Sequence, residues 1–484
     1  MDFVADLHLH SKYSRAVSKD MVLPTIAKLA KEKGIDIVAA PDWTHPLWFK
    51  EISKQLEEVS EGLYRLKQSV IPNSFRDPNS GSDKMLKQVQ HDRERNILFL
   101  LSVEIASIYS QGGKLRRIHN LVFAPNIQIA EKINKELLRR GCNLMSDGRP
   151  IIGISSRNLL EMLLNIDRRI LLIPAHIWTP HFGIYGSASG FDSLDEAFGE
   201  LSEYIYGIET GLSSDPEMNW QMRELNGRSI LSFSDAHSPA KMGRELTVFQ
   251  LTQPTYEHVR KAIMYPSRKS TDYSPQSPED SQSTNKVKYT IEFYPEEGKY
   301  HFSGHRKCKV IFGPEEIRTK GDTCPICKKR LTEGVLYRVQ QLSNKHLLGR
   351  VQEKTSASTI KWFTDTMKIH PPYVKLIPLH EIVAESMEST VASQKVKIAY
   401  ASLIQKVGSE AYILLKAPLA DIRKHAGGMV ADGVERVRKG GIVIDPGYDG
   451  VYGKVKIWNE QVKAHTKKTV EKQAQEDEKQ TSLF

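Results

Sequence analysis

The sequence predicts an α/β protein in which a (β/α) barrel is followed by a small zinc-binding domain and a helical C-terminal domain. Up to about residue 268, short apolar runs alternate with helical patterns, as in repeated strand and helix units around a barrel. Three of the four cysteines lie between residues 308 and 327, which indicates a metal site and not a disulfide scaffold. Beyond residue 396, apolar residues recur at helical spacing.

Seven apolar runs are the candidate barrel strands. Each is bounded by polar or turn residues, and the length of the whole block suits one barrel. Between the first two runs, residues 23–33 predict a helix with Pro24 in its first turn and Gly34 at its C-terminal cap. The predicted strands are 3–9, 35–40, 97–103, 120–124, 170–175, 206–209 and 229–234.

Polar segments predict how the chain is divided. The barrel should occupy residues 1–268, with a surface insertion at 69–93 that follows neither hydrophobic period. Residues 269–288, rich in Ser, Pro, Gln and acidic residues, predict a flexible linker. The other expected units are a zinc-binding domain at 289–343, a connecting region at 344–390, a C-terminal DNA-binding region at 391–460 and a flexible tail at 461–484.

Length and charge narrow the class of protein. The 484 residues predict about two to four domains. No apolar run approaches the roughly 18 residues of a membrane span, and residues 1–3 begin no export signal, so we expect a soluble cytoplasmic protein without a membrane partner. A net charge of +10 favours a polyanionic partner, although many unrelated proteins are as basic.

His, Asp and Glu residues fall at the ends of the predicted strands, and one of them opens the fourth strand. Because strand ends converge on one face of a barrel, these side chains should meet around one pocket. Imidazole and carboxylate ligands suit divalent metals. A single histidine of this kind is as often an ordinary core or surface residue as a metal ligand. Chance does not explain the whole set of such residues at strand ends, and a ligand set of this size implies more than one ion. The predicted ligands are His8, His10, Asp42, His45, Glu104, His119, His176, Asp235 and His237.

These residues form motifs that resemble the polymerase and histidinol phosphatase (PHP) superfamily of multinuclear metal-dependent phosphoesterases. The resemblance implies a distorted (β/α)7 barrel that holds three divalent ions (Zn, Mn, Fe or Mg), and catalytic roles for Glu104, Asp235 and His237. The motifs are His8-Leu9-His10-Ser11, Asp42 with His45, Glu104, His119, His176 and Asp235-Ala236-His237-Ser238-Pro239.

The further motifs are Trp178-Thr179-Pro180, Gly190-Phe191-Asp192-Ser193, Gly211-Leu212-Ser213-Ser214-Asp215-Pro216 and Met218-Asn219-Trp220. These motifs are similar to the endonuclease Q family within that superfamily. The family nicks DNA on the 5′ side of uracil, hypoxanthine and xanthine and at abasic sites, so the resemblance implies a DNA repair endonuclease acting on deaminated bases. It covers most of the chain, with departures at the 69–93 insertion and at His181, where an aromatic residue is expected. The alternative is a small-molecule phosphatase such as a histidinol phosphatase.

A second set of ligands predicts a structural zinc site. His305 and Cys308, followed by Cys324-Pro325-Ile326-Cys327, suit one closed tetrahedral Cys3His site. His301 is the alternative fourth ligand. The basic residues around the site either contact phosphates or form a solvated face. The remaining cysteine, Cys142, receives no role.

Candidate DNA-binding residues lie near these motifs. Four cations are either phosphate contacts or solvent-exposed, and residues 211–220 are expected to line a pocket for a flipped base, since a stacked base hides the edge that identifies it. Basic helices at 396–458 contact DNA or simply pack on the protein; the resemblance of residues 446–453 to the same family favours DNA contact. The substrate-binding candidates are Arg15, Lys114, Arg116, Arg117, Ser214, Asn219 and Trp220.

The final five residues, Gln480-Thr481-Ser482-Leu483-Phe484, resemble the short bacterial motif that docks into the β sliding clamp. An apolar pair at the end of a flexible tether suits a docking peptide. Gln480, Leu483 and Phe484 are therefore the predicted clamp contacts, and an ordinary tail is the alternative.

Overall fold

The structure is a computed structural model that describes residues 1–70, 96–268, 285–356, 358–461 and 466. From residue 71 the predicted insertion lies outside the described residues, as do residues 269–284 of the predicted linker. The predicted tail also lies outside them, apart from residues 461 and 466.

The described residues form nineteen strands, and the seven predicted apolar runs all coincide with strands of the barrel. In chain order the strands are β1 (Asp2–Asp6), β2 (Ile37–Ala40), β3 (Leu56–Ser60), β4 (Leu63–Leu66), β5 (Leu98–Gln111), β6 (Lys114–Phe123), β7 (Ile151–Ile152), β8 (Leu171–Pro174), β9 (Gly207–Glu209), β10 (Ser229–Leu231), β11 (Leu246–Gln250), β12 (Lys286–Glu292), β13 (Ser303–His305), β14 (Val310–Phe312), β15 (Val351–Thr355), β16 (Lys361–Asp365), β17 (Tyr373–Lys375), β18 (Val443–Asp445) and β19 (Lys454–Lys456).

The helices surround the barrel and dominate the C-terminal region. The first one confirms its prediction: it ends at Gly34, whose φ of 79° is in the left-handed region that glycine adopts without strain. The α-helices are α1 (Leu23–Lys33), α2 (Pro46–Gln55), α3 (Ile127–Arg139), α4 (Ser156–Ile166), α5 (Leu194–Phe198), α6 (Pro216–Trp220), α7 (Tyr256–Arg268), α8 (Pro314–Lys320), α9 (Val335–Leu342), α10 (Leu379–Ser386), α11 (Gln394–Lys406), α12 (Glu410–Leu415), α13 (Leu419–Ala426) and α14 (Gly428–Lys439).

The barrel wall is mixed and not all-parallel. β1, β2 and β5 are parallel neighbours, whereas β6 is antiparallel to both β5 and β8. β9 and β10 are parallel, and a bridge between Leu9 and Ala236 connects the ends of β1 and β10. This arrangement confirms the distorted α/β barrel that the resemblance implies.

Alternate residues of the strands fill the barrel interior. Successive side chains of a strand point to opposite faces, so residues two apart, such as Leu121 and Phe123 of β6, enter the same core. Phe233, just after β10, packs edge-on against Phe123 with ring centroids 6.4 Å apart. The packed interior leaves the strand ends as the place where polar side chains converge.

The sheet continues beyond the barrel. β11 pairs antiparallel with β1, and β12, β17, β16 and β15 follow in that order. β12 begins at Lys286, inside the predicted linker, and the strands of the predicted connecting region extend this same sheet. One continuous sheet therefore contains residues of the predicted barrel, linker, zinc-binding domain and connecting region.

The remaining elements form a small cysteine-containing unit and a helical bundle. β13 and β14 form a hairpin that precedes α8 and α9, and α10 to α14 form the predicted helical C-terminal region. None of the described helices is long and apolar enough to cross a membrane.

Candidate functional site

Two groups of potential metal ligands share one carboxylate, Glu104. Within each group, the ligand atoms all lie within 4.8 Å of one another. Glu104 is completely buried; its Oε1 is 3.0 Å from His176 Nε2, and its Oε2 is 3.4 Å from His10 Nε2. It is therefore placed to bridge the groups, as a carboxylate with two oxygens can. The groups are His8, His10, Glu104 and Asp235, and Glu104, His119 and His176.

His119 reaches this centre from the middle of β6, and the prediction that it opens its strand is wrong. β6 runs antiparallel to β5, and His119 pairs with Ala106, two residues beyond Glu104. Residues two apart share a face of a sheet, so His119 and Glu104 are diagonal neighbours whose side chains contact each other. His119, which lies inside an antiparallel strand, thus joins ligands that follow the ends of parallel strands.

Three predicted ligands occupy the left-handed backbone region, with φ of 52° at Asp42, 32° at His176 and 46° at Asp235. Non-glycine residues in such sparsely populated regions cost roughly 1–3 kcal/mol each, and they concentrate at functional sites. The strain indicates that the turns after these strands are shaped to place ligands.

Asp42 lies next to the first group without belonging to it. Its Oδ1 is 3.3 Å from His10 Nδ1, and its Oδ2 accepts hydrogen bonds from the backbone of Ser11 and from Ser14 Oγ. Burial alone would raise the pKa of Asp42, but the contact with His10 and these hydrogen bonds lower it. Asp42 is therefore ionised and holds the ring of His10 in place.

His45 and His237 also border the centre. The His237 ring lies 4.5 Å from the His10 ring, and its Nδ1 is 2.8 Å from the carbonyl oxygen of Asp235. His45 stacks on Tyr13 at 4.3 Å, and its Nδ1 is buried without a hydrogen-bond partner among the described residues. Metal binding by these two histidines stays a prediction.

Glu209 belongs to the centre and was not predicted. It is fully buried at the end of β9; its oxygens lie 2.9 and 3.1 Å from His8 Nδ1, and one accepts a hydrogen bond from the His176 backbone amide. A carboxylate on the far nitrogen of a histidine fixes the ring and its tautomer, leaving Nε2 for a metal. The signal was present in the sequence, because Glu209 ends a predicted strand as the other ligands do.

Arg149 is the second residue near the centre that was not predicted. Its Nη1 donates to Glu104 Oε2 at 3.0 Å, and its side chain is 23% exposed. Gly148 packs against Asp42 so closely that a Cβ there would lie 2.5 Å from Asp42 Oδ2. The loop thus places the Arg149 guanidinium at the mouth of the site. No apolar run precedes Arg149, so the sequence pattern did not indicate it.

The charges of the centre favour bound cations. Burial alone would raise the pKa of Glu104, but His119, His10 and His176 hold it well below its usual value. Burial alone would lower the pKa of His8, but Glu209 and Asp235 raise it well above its usual value. His8 Nε2 is buried without a hydrogen bond, 3.5 Å from Asp235 Oδ1 and 3.8 Å from Glu104 Oε1. Ionised carboxylates around such a nitrogen suit divalent ions.

The second ligand set assembles as predicted. His305, Cys308, Cys324 and Cys327 have ligand atoms within 4.8 Å of one another. Burial would raise the pKa of the Cys324 thiol, but backbone amides at Cys327 and Ile326 lower it to about 6, which favours the thiolate that binds metal. The donors suit a closed structural zinc site.

The alternative zinc ligand, His301, does not join this set. Its ring stacks on Phe302 with centroids 5.3 Å apart, and the residue is 5% exposed. His305 Nδ1, in contrast, lies 3.3 Å from Cys327 Sγ. The structure therefore favours His305 as the fourth ligand.

The four predicted phosphate-binding cations have different surroundings. Lys114 is exposed at the hairpin between β5 and β6, and Arg117 is half-buried. The Arg15 side chain is 72% exposed, with its Nε 3.6 Å from Asp147 Oδ2. These three cations are accessible at least in part, and their role as phosphate contacts stays a prediction.

Arg116 requires a correction, because its guanidinium is part of the protein interior. Only 6% of the residue is exposed. The guanidinium lies 3.9 Å from the Phe191 ring centroid, donates to the Gly190 carbonyl and pairs with Glu196 at 3.0 Å. It holds the segment around Phe191 and has no free face for a phosphate.

Ser214, Asn219 and Trp220 also differ from their prediction as surfaces for a flipped base. All three are at most 1% exposed. Asn219 accepts from Trp178 Nε1 at 2.8 Å and donates to Ser214 Oγ at 3.3 Å, while Ser214 donates to the Thr210 carbonyl. The side-chain polar atoms of Ser214 and Asn219 therefore stabilise the 211–220 segment from inside, although the segment itself borders the site through Gly211 and His176.

Three other predictions have simpler outcomes. His181 is exposed, with its ring centroid 6.4 Å from that of Tyr300, and it is not part of either ligand group. Cys142 is a half-buried free thiol whose pKa burial raises. The clamp-like residues Gln480, Leu483 and Phe484 lie outside the described residues.

Some known proteins are similar to part of the chain, and others are similar to nearly all of it. The family described as the MJ0043 C-terminal domain matches residues 378–441. The uncharacterized protein MJ0043 of Methanocaldococcus jannaschii is 29% identical over 286 residues, which are 57% of this chain but only 31% of that protein. The uncharacterized protein YqxK of Bacillus subtilis is 28% identical over 468 residues, which are 93% of this chain and 98% of that protein.

Two solved structures are similar over nearly the whole chain. The lesion-specific endonuclease PfuEndoQ from Pyrococcus furiosus has a TM-score of 0.72 and 27% identity, covering 95% of this chain and 96% of that one. Endonuclease Q in complex with a 27-mer duplex that carries an abasic lesion at the active site also has a TM-score of 0.72 and 27% identity, covering 95% and 98%.

The distorted barrel, its Glu104-centred ligands, the Cys3His unit and the C-terminal helices define a class of α/β proteins with candidate metal centres. Within that class, the resemblance to the endonuclease Q family that the sequence motifs predicted is confirmed by the two solved structures.

Proposed function

We propose that the protein is a DNA repair endonuclease that hydrolyses the phosphodiester on the 5′ side of deaminated bases and abasic sites. The observation that carries the proposal is its similarity, over 95% of the chain, to a lesion-specific endonuclease. The Glu104-centred groups supply ligands for divalent ions, and all nine predicted ligands lie within the described residues. The substrates that we propose are DNA containing uracil, hypoxanthine or xanthine.

The chain's own residues would hold and orient the reacting groups. Divalent ions bound here would supply a hydroxide near neutral pH and neutralise charge on the phosphate. His8 is fixed by Glu209, and His10 by Asp42, so that each presents its Nε2 toward Asp235. Arg149 donates to Glu104 and is open to solvent at the mouth, where it would attract a phosphate. The products would carry 3′-hydroxyl and 5′-phosphate ends.

The finer assignments concern the ions, the catalytic residues, the location and the clamp. We propose divalent Zn, Mn, Fe or Mg for the barrel, with three ions held by the predicted ligands, and one structural zinc held by Cys3His. The catalytic roles of Glu104, Asp235 and His237 are supported by their place in or beside the ligand groups. We further propose a cytoplasmic location, and docking of residues 480–484 on the bacterial β sliding clamp.

Nicking of a uracil-containing duplex by the Asp235→Asn variant tests the site. Asp235 Oδ1 lies 3.0 Å from His10 Nε2 and 3.5 Å from His8 Nε2, so an amide there removes a charge shared by two ligands. We expect nicking to fall by at least about a hundredfold, as for loss of an essential electrostatic contact. Undiminished nicking by this variant would refute the assignment of the site.

A matched variant and a second substrate complete the experiment. Glu131→Gln neutralises a half-exposed carboxylate whose Lys135 partner lies one turn away on α3, and it should leave nicking unchanged. Each deaminated base should be assayed with and without added divalent metal. Phosphate release from histidinol phosphate, without action on any duplex, would instead support the phosphatase alternative.

A further inference from the structure

Asp147 lies at the mouth of the centre, and neither of the two Glu104-centred groups includes it. The residue is 4% exposed. Its Oδ1 accepts hydrogen bonds from the backbone amides of Arg15 at 3.2 Å and of Arg149 at 3.1 Å. One buried oxygen atom thus fixes the backbone of two arginines that are far apart in the sequence.

Arg149 reaches the centre because the chain that follows it joins β5. β7 pairs in parallel with β5 at Ala106, whose amide donates to the Pro150 carbonyl. Ala106 lies two residues beyond Glu104, and Arg149 Nη1 donates to Glu104 Oε2 at 3.0 Å. A guanidinium has more N–H groups than one carboxylate oxygen accepts, and 23% of this side chain is exposed. Arg149 therefore keeps donors for an anion at the mouth.

The turn that carries Arg15 is fastened to the centre on both sides. Before Arg15, Ser14 Oγ donates to Asp42 Oδ2 at 2.8 Å. After it, the Ser18 amide donates to the His237 carbonyl at 2.9 Å. The Arg15 side chain is nevertheless 72% exposed. A side chain that is open to solvent on a backbone held in this way is placed to meet a ligand.

The contact between Asp147 and Arg15 orients the guanidinium. Asp147 Oδ2 lies 3.6 Å from Arg15 Nε, which is too far for a hydrogen bond. At this separation the carboxylate attracts the guanidinium without occupying its Nε–H group. An ion pair with so exposed a partner adds little to stability, so stability alone does not account for the arrangement.

We infer that Asp147 is a positioning residue that sets Arg15 and Arg149 to bind two neighbouring phosphates of one DNA strand. Arg149, beside Glu104, takes the phosphate at the centre, and Arg15, which is more exposed, takes the next one along the strand. Guanidinium groups suit phosphates because they donate two parallel hydrogen bonds. The inference rests on the proposed function and deepens it, since it states that the substrate must carry a phosphate next to the one that is cut. A small phosphomonoester lacks this second phosphate.

Binding of duplexes in which one phosphate is replaced by an uncharged methylphosphonate tests the inference. The replacement is made in turn at each phosphate that flanks the proposed cut beside a uracil. Affinity for the full chain is measured by fluorescence anisotropy without added divalent metal. We expect one of these duplexes to bind wild type about tenfold more weakly than the normal duplex, as for loss of a hydrogen bond to a charged group.

The Arg15→Gln variant identifies the side chain that makes this contact. It should bind the normal duplex about tenfold more weakly than wild type, and the methylphosphonate should weaken its binding little further, because both changes remove the same contact. The slope of log affinity against log salt should also fall by about 0.9. Arg139→Gln is the matched control, since the Arg139 side chain is 71% exposed and paired with Glu136; it should keep the affinity and the slope of wild type.

Asp147→Asn tests the positioning role. The amide oxygen can still accept the two backbone hydrogen bonds, but the charge that attracts Arg15 is removed. If Asp147 were only a negative charge near DNA, its loss would tighten binding, whereas a positioning residue predicts weaker binding and a smaller effect of the methylphosphonate. Asp167→Asn is the control, because Asp167 also accepts from an amide two residues later and pairs with the same residue, Arg169.

The outcomes separate the inference from the proposed function. The inference is overturned if neither methylphosphonate weakens binding to wild type, if Arg15→Gln keeps the full methylphosphonate effect, or if Asp147→Asn binds as tightly as wild type or more tightly. Nicking of a uracil duplex together with any of these results would leave the proposed function standing. A wild-type protein that neither binds nor nicks DNA would overturn the proposed function, and the inference with it.

Discussion

At the scale of single residues, Gly211 shows how tightly the candidate centre is packed. Its φ is 60°, and a Cβ there would lie 2.3 Å from His176 Cβ and 2.8 Å from His176 Cα. Gly211→Ala should therefore displace His176, which belongs to the second ligand group. We expect a loss of about 1–3 kcal/mol of stability from overpacking and lower nicking, measured by thermal unfolding and by a uracil-duplex assay.

Gly227 supplies the matched control for this prediction. A Cβ at Gly227 would meet nothing within 4 Å, so Gly227→Ala should leave both nicking and stability close to wild type. Equal nicking by the two alanine variants would show that close packing against His176 does not matter for activity.

A second residue-scale prediction concerns pH. Burial raises the pKa of Glu292 from 4.5 to about 7, although hydrogen bonds from Ser232, Thr290 and Thr210 act against it. The folded state therefore binds this proton more tightly than the unfolded chain, and the stability from it is present below pH 4.5 and lost as pH rises toward 7. Its full size is about 3 kcal/mol. Glu292→Gln, neutral at every pH, should lose less stability than wild type between pH 5 and pH 8.

Differential scanning calorimetry at the two pH values measures this effect. The melting temperature of Glu292→Gln minus that of wild type should be a few degrees higher at pH 8 than at pH 5. The same difference for Glu131→Gln should not change between the two pH values. A Glu292→Gln difference that is the same at both values would mean that Glu292 is ionised in the folded protein throughout this range.

Residue patterns predicted most of the centre, and the exceptions have physical causes. His8, His10, Glu104 and Asp235 were recognisable because each lies at the end of an apolar run or just after it. Arg149 follows none, since Gly148 and its loop are placed by contact with Asp42, a residue far away in sequence. Asn219, in contrast, was predicted to contact substrate but is buried. Polar residues inside the protein can satisfy each other's hydrogen bonds, and the sequence pattern does not show this.

At the scale of elements, the Cys3His unit joins the end of β13 to the loop after α8, with His305 and Cys308 on one side and Cys324 and Cys327 on the other. Cys324 is completely buried, and it alone of the three cysteines is closed to solvent. Cys324→Ser should remove about one zinc per chain and loosen residues 303–331, because metal binding of this type is folding energy. Metal analysis and hydrogen exchange measure both effects.

Cys142→Ser is the control for this change. Cys142 is half-buried after α3 and belongs to neither candidate metal set. It should retain the zinc content and exchange rates of wild type. Unaltered zinc in the Cys324→Ser protein would exclude Cys324 as a ligand.

Elements were predictable wherever local signals sufficed. The seven barrel strands and α1 follow from apolar runs and caps. Strand direction does not follow, since β6 and β5 are antiparallel through a hairpin turned by Gly112 and Gly113, and single runs carry no sign of this. The extension by β12 and β15 to β17 was also missed, because pairing between distant strands leaves no local periodicity.

At the scale of the whole molecule, a buried ion pair fastens the C-terminal helices to the barrel. Lys33 of α1 lies 3.0 Å from Glu410 of α12, and their side chains are 4% and 5% exposed. Glu410 also accepts from the Leu379 amide and the Tyr400 hydroxyl. Burial would raise the pKa of Glu410, but Lys33 and His380 lower it, so the carboxylate is charged. No composition signal links residues 377 positions apart.

Removal of one partner should therefore detach this region. Lys33→Met leaves a charged carboxylate buried, which costs about 3–5 kcal/mol, whereas the double variant with Glu410→Leu should recover much of the loss. We expect faster hydrogen exchange in residues 379–415 of the single variant and near-normal exchange in the double one. Lys31→Met, at an exposed position of the same helix, controls for the loss of a lysine. If Lys33→Met exchanges no faster than Lys31→Met, apolar packing around α12 holds the helices in place without help from the ion pair.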